Sequence, residues 1–95
     1  INKVVVQLGS NDDYLSFHNG YEFKINYERP IFSIEDQRFG VSVADHGHKE
    51  AIDKFSRAVI AVYDRLFDKN DSELSADEKE QKNLLQSLVH ARSLK

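Results

Sequence analysis

Apolar residues recur at every second position as far as Val43 and at every third or fourth position from about Lys49. That change of period predicts a strand-built half followed by a helical half, divided near His46. Val4, Val6 and Leu8 alternate with Val5 and Gln7 in a short β-branched strand. Gly9-Ser10-Asn11-Asp12-Asp13 then reads as a turn. Residues 14–17 and 21–27 read as a hairpin around His18-Asn19-Gly20. A two-residue Asn19-Gly20 loop would set Leu15 and Phe17 on the face opposite Tyr21, Phe23 and Ile25. A three-residue loop with Gly20 left-handed pairs Phe17 with Tyr21 and Leu15 with Phe23, and one apolar face selects it. After Pro30, Phe32 and Ile34 alternate one way and Phe39, Val41 and Val43 alternate back. With Asp36-Gln37 as the loop, Glu35 faces Arg38, Ile34 faces Phe39 and Phe32 faces Val41; neither loop residue is glycine, which leaves a longer loop open. The opposite face, with Ser16, Glu22, Lys24, Asn26, Ser33, Glu35, Ser42 and Ala44, suits water.

Ile52, Phe55, Val59, Val62 and Leu66 are spaced 3, 4, 3, 4, and Ala51, Ala58, Tyr63 and Phe67 widen the stripe. This predicts an amphipathic helix of roughly five turns, long enough to cover the sheet's apolar face. Residues 68–71 end it, and Ser75 with Glu78 forms a capping box for a second helix. That helix carries Leu84, Leu85, Leu88, Val89 and Leu94 on one side and a charged first half over residues 77–82. The expected fold is α+β: an antiparallel meander of about four strands on one long helix, with a second, C-terminal helix. Residues 1–95 read as one domain, with a β half over 1–45 and a helical half over 48–95. The expected core is Val4, Val6, Leu15, Phe17, Phe23, Ile25, Phe32, Ile34, Val41, Val43, Ile52, Phe55, Val59, Val62 and Leu66.

Composition narrows the function classes. An apolar fraction of 40% is too high for a solvated tail, and a charged fraction of 31% is too high for a membrane span. No basic segment followed by an apolar one opens the chain, so no secretion signal is expected. The absence of cysteine excludes disulfides, thiolate metal sites and a cysteine nucleophile, and it suits a cytoplasmic location. Net charge is −3, and residues 1–45 hold all of it, with four basic and seven acidic residues. No run of lysine and arginine supplies the basic footprint that phosphate neutralisation demands, which argues against a nucleic-acid partner.

Candidate chemistry is sparse. Asp45-His46-Gly47-His48 is the one local cluster of metal-ligand types, and His46 and His48 would point the same way in an extended segment. Zinc needs three or four ligands, and His18 and His90 show no reason to join them. The expectation is instead that Asp45 caps the first helix, with no metal and no cofactor. Residues 68–74 place oxygens like a calcium loop, but Glu73 stands where the sharp turn wants glycine and Lys79 where the bidentate glutamate belongs. No serine sits in a glycine-flanked elbow, and the four glycines are isolated, so no catalytic residue is assigned and no enzyme is expected.

Ten aromatics in this length exceed what a small core uses. Exposed Tyr14 and Tyr27 beside Asp12, Asp13 and Glu35 are the candidate partner-binding residues. Leu84, Leu85, Leu88 and Val89 are the candidate self-association residues. The first helix has already claimed the sheet, so a homodimer through the second is expected.

The stretch from Gly20-Tyr21-Glu22-Phe23-Lys24-Ile25 through Val59 resembles, in layout over about residues 14–67, the small β-β-β-α early proteins of phages and mobile elements. Anti-CRISPR inhibitors are the best-known members. That resemblance implies a cytoplasmic inhibitor or modulator of a larger host protein or nucleoprotein complex, its acidic groups imitating nucleic acid. A toxin-neutralising immunity protein fits the same description. The alternative from another class is a single-stranded nucleic-acid binder stacking bases on Tyr21 and Tyr27, and a third is a small metal enzyme on His46 and His48.

Overall fold

The computed structural model describes residues 1–94. Four strands run in chain order as an antiparallel meander: β1 (Asn2–Gly9), β2 (Asp13–Glu28), β3 (Ile31–Asp36) and β4 (Val41–Asp45). Helix α1 (His48–Asp68) follows, then a 3₁₀ turn at Asp71–Glu73, helix α2 (Ala76–Leu88) and a fifth strand, β5 (Val89–Leu94). The α+β class with one long and one C-terminal helix is therefore as expected. β2 is the spine of the sheet. One of its edges carries β1; the other carries β5 against residues 13–17 and β3 against residues 25–28. No helix among the described residues is long and apolar enough to cross a membrane.

The expected hairpin at His18-Asn19-Gly20 does not exist. β2 runs straight through these residues with a wide bulge, in which residues 17–20 stand opposite the single Val6, between the pairs Val5–Tyr21 and Gln7–Ser16. Gly20 supports the detour at φ +88°, and a Cβ there would meet Val4 Cγ1 at 2.7 Å. Leu15, Phe17, Tyr21, Phe23 and Ile25 still share the buried face, because their spacings remain even. β1 pays a different penalty: Val5 and Leu8, three residues apart, both turn inward. Val4 and Val6 are consequently 60% and 69% exposed, so their expected place in the core is corrected.

The second hairpin is also wider than expected. Asp36 pairs with Val41, Glu35 with Ser42 and Ile34 with Val43, leaving Gln37-Arg38-Phe39-Gly40 as the loop. Gly40 supplies the left-handed residue at φ +65°, and Phe39 folds back into the core at 3% exposure. Arg38 accordingly pairs with Asp36 rather than Glu35.

Helix α1 begins where its period begins, and Phe55, Val59, Val62 and Leu66 are buried along it. Gly47 occupies the N-cap position. Asp45 does not cap the helix; its Oδ1 accepts from the Gly47 amide at 3.1 Å and its Oδ2 pairs with Lys54 at 2.8 Å. The Ser75–Glu78 capping box forms as expected, the Glu78 amide donating to Ser75 Oγ at 3.2 Å. Helix α2 stops at Leu88, however, and Val89 opens β5 instead of continuing the helix. The core also takes in Leu8, Tyr21, Phe39, Ile60, Leu74, Leu85 and Val89, while Phe32, Val43 and Ile52 pack half-buried at its margin.

Arg92 locks β5 in place. Its Nε and Nη2 each donate to the Asp64 carboxylate of α1 at 3.0 Å, and its Nη1 reaches Asp13 Oδ1 at 2.6 Å and Ser93 O at 2.7 Å. This planar fork meets a carboxylate in a way lysine cannot. Both acids are about half exposed, which tempers the expected loss. Arg92→Ala should cost about 1–2 kcal/mol and speed amide exchange in β5 ahead of α1. Unchanged protection of the β5 amides would show that the fork is not what holds the strand.

Candidate functional site

The sheet has a buried face under the helices and an open face toward water. Glu22, Lys24, Asn26, Glu35, Ser42 and Ala44 are exposed there, as their alternation predicts. What alternation does not predict is the apolar part of this surface. Val4 and Val6 stand out of β1, whose far edge pairs with no other strand among the described residues. Exposed edges are usually blunted by charge, proline or shortness. β4 is five residues long, and β5 is interrupted at His90 and carries Arg92. β1 has eight residues and offers Lys3 as its one charge.

The five candidate partner-binding residues do not form one surface. Asp12, Asp13 and Tyr14 lie at the start of β2, and Tyr27 and Glu35 lie toward its other end. The two tyrosines are 13 positions apart along the strand, roughly 40 Å for an extended chain before the bulge shortens it. Asp13 is committed to Arg92, and Glu35 accepts from Gln37 Nε2 at 3.1 Å. Tyr27 is 53% exposed, with its ring 4.5 Å from that of Phe32. Tyr21 is 1% exposed, so it cannot serve as a base-stacking platform.

Comparison with protein-family models, curated proteins and solved structures finds no match for this chain. The geometry of its own residues therefore carries the functional reading.

Tyr21 belongs to a polar cluster under the second hairpin. Its hydroxyl donates to Asp36 Oδ2 in a short hydrogen bond, and Arg38 donates to the same carboxylate through Nε at 3.0 Å and Nη2 at 2.8 Å. The guanidinium also lies 5.3 Å from the Tyr21 ring centre and 5.4 Å from that of Phe39. Burial alone would raise the Asp36 carboxyl, but the hydrogen bonds from Arg38 and Tyr21 outweigh it and hold the group below the usual carboxylate range. Burial, then the hydrogen bond to Asp36, pushes the Tyr21 phenol far above its ordinary value and keeps it neutral. The Tyr21 hydroxyl and both Asp36 oxygens are engaged within the fold, and the Arg38 amide also donates to Asp36 Oδ1 at 3.0 Å, so the cluster braces the loop.

His46 and His48 are both exposed, and the His48 ring stands edge-on to Phe32 at 5.4 Å. Among the described residues no three histidine, aspartate or glutamate side chains converge on one point, at His46 and His48 or elsewhere. The residues 68–74 that resembled a calcium loop form a second capping box, the Asn70 amide donating to Glu73 Oε1 at 3.1 Å.

The apolar stripe of α2 is not a free face. Leu85 is fully buried, Val89 lies buried in β5, and Leu84 and Leu88 pack half-buried against the core. The reason for expecting self-association there disappears once β5 folds back onto β2. His18 and His90, distant in the chain and with no pattern linking them, have ring centres 5.0 Å apart.

Proposed function

We propose that this chain is a non-catalytic protein-binding module that inhibits or modulates a larger protein by pairing β1 with one of its extended segments. The observation that supports this reading is the pair of outward valines, Val4 and Val6, on an edge strand with an unoccupied backbone ladder. An added strand would satisfy those amides and carbonyls, and its alternate apolar side chains would cover the two valines. Charge selects the partner further: residues 1–45 carry net −3, which favours a segment with basic flanks.

A benzophenone photo-crosslinker at Lys3, used in extract of the producing organism, should capture a defined protein, with the crosslink mapping to an extended, alternately apolar segment. The same label at exposed Gln86 on α2 should not capture it. Val4→Lys with Val6→Lys should reduce capture at Lys3 by at least about tenfold while changing stability by no more than about 0.5 kcal/mol. Equal capture at Gln86, or capture unaffected by the double substitution, overturns the reading. A crosslinked second copy of this chain also overturns it, in favour of self-pairing through β1.

A further inference from the structure

Two interruptions of the strand ladder meet at one point on the surface. β2 bulges at residues 17–20, which frees His18 from regular pairing with β1. β5 pairs Ala91 with Ser16 and Val89 with Phe17, so His90 is the extra residue, with nothing directly opposite. Bulges commonly re-aim a side chain. Here both re-aimed side chains are imidazoles, both are exposed, and their ring centres are 5.0 Å apart at 77° between planes.

We propose that His18 and His90 form a two-histidine site for a late first-row divalent cation, Cu²⁺, Ni²⁺ or Zn²⁺, and that the ion clamps β5 to β2. The spacing suits chelation. A metal–nitrogen bond of about 2.0–2.1 Å puts an imidazole centre roughly 3.2 Å from the ion, so two rings at right or tetrahedral angles have centres about 4.5–5.2 Å apart. The edge-on arrangement becomes convergent by rotation about χ2, a soft torsion in histidine. Neutral imidazole suits copper, nickel and zinc, and water fills the remaining positions at this open surface.

The clamp has a mechanical consequence. His18 and His90 are 72 positions apart in the chain, and β5 is the last of the described elements. A cation held by both closes the strand pair at the two register shifts, in addition to Arg92's grip on Asp64 of α1. Binding to the folded state alone raises its stability with free metal concentration. Occupancy would therefore make β5 docking metal-dependent.

Chelator-treated protein titrated with the chloride salts, followed by calorimetry and thermal melting, tests this. One equivalent should bind, with Cu²⁺ tightest, and each ion should raise the melting midpoint and slow amide exchange in β5. His18→Gln and His90→Gln should each weaken binding by at least about tenfold, and the double variant should lose little more than either single one. His46→Gln with His48→Gln should leave binding intact. Both single variants should melt like the parent without metal, which separates lost ligation from lost folding. No saturable binding, binding that survives both substitutions, or binding that follows His46 and His48 or the N-terminal amine overturns the site.

Discussion

Phe55→Ala should lower stability by about 3–5 kcal/mol, the range for deleting a fully buried phenylalanine. Phe55 has no exposed surface, and its ring lies 4.9 Å from that of Phe23 and 6.1 Å from that of Tyr21. It is the point where α1 meets the middle of β2. The sheet cannot collapse into the vacated space without shifting β2, whose edges are held by β1, β3 and β5. A domain of this length has only roughly 5–14 kcal/mol in total. At about 4–8 °C per kcal/mol, the melting midpoint should fall by at least about 12 °C. A cooperative melt displaced by less than about 5 °C would show that another residue is the keystone.

Asp36→Ala should cost about 2–3 kcal/mol, because it leaves the Tyr21 hydroxyl buried without its acceptor. Tyr21 is 1% exposed and cannot recruit water in exchange. Arg38, with nearly half its side chain exposed, can turn outward, which keeps the loss below that of a fully buried ion pair. Tyr21→Phe should cost less, about 1 kcal/mol, since Arg38 still satisfies the carboxylate. The pH dependence has a definite sign. The Asp36 carboxyl is held below its ordinary range in the folded state, so the unfolded chain takes up its proton first as pH falls. The stabilisation is complete above about pH 4 to 5 and is lost as pH falls through the folded value. Asp45, Asp71 and Glu78 are also lowered, but all three lie outside the core and are common to all the variants. Urea midpoints at pH 7 and pH 3 should therefore converge in Asp36→Asn more than in the parent. An unchanged acid limb would remove Asp36 as its source.

Local pattern alone determined the two halves of this chain and most of its core. The 3, 4, 3, 4 spacing from Ile52 to Leu66 can be satisfied only by a helix with one buried face. The Ser75–Glu78 capping box settles where α2 begins, because its hydrogen bonds are made within four residues. Even spacing put Leu15, Phe17, Tyr21, Phe23 and Ile25 on one face whether the chain turned in a three-residue loop at residues 18–20 or ran straight. Whether it turned was not a local matter. Gly20 serves a bulge as readily as a loop, and β1 was needed along the whole of β2 to decide between them. The same bulge put Val4 and Val6 outside. Val89-His90-Ala91-Arg92-Ser93-Leu94 continues a helical stripe in sequence, but the upper edge of β2 has backbone groups that only another strand can pair. Arg92 reaches Asp64 and Asp13 across 28 and 79 residues, and His18 meets His90 across 72. Contacts of that range leave no periodic mark on the sequence, so the free edge, the fork and the histidine pair were decided only when the chain closed on itself.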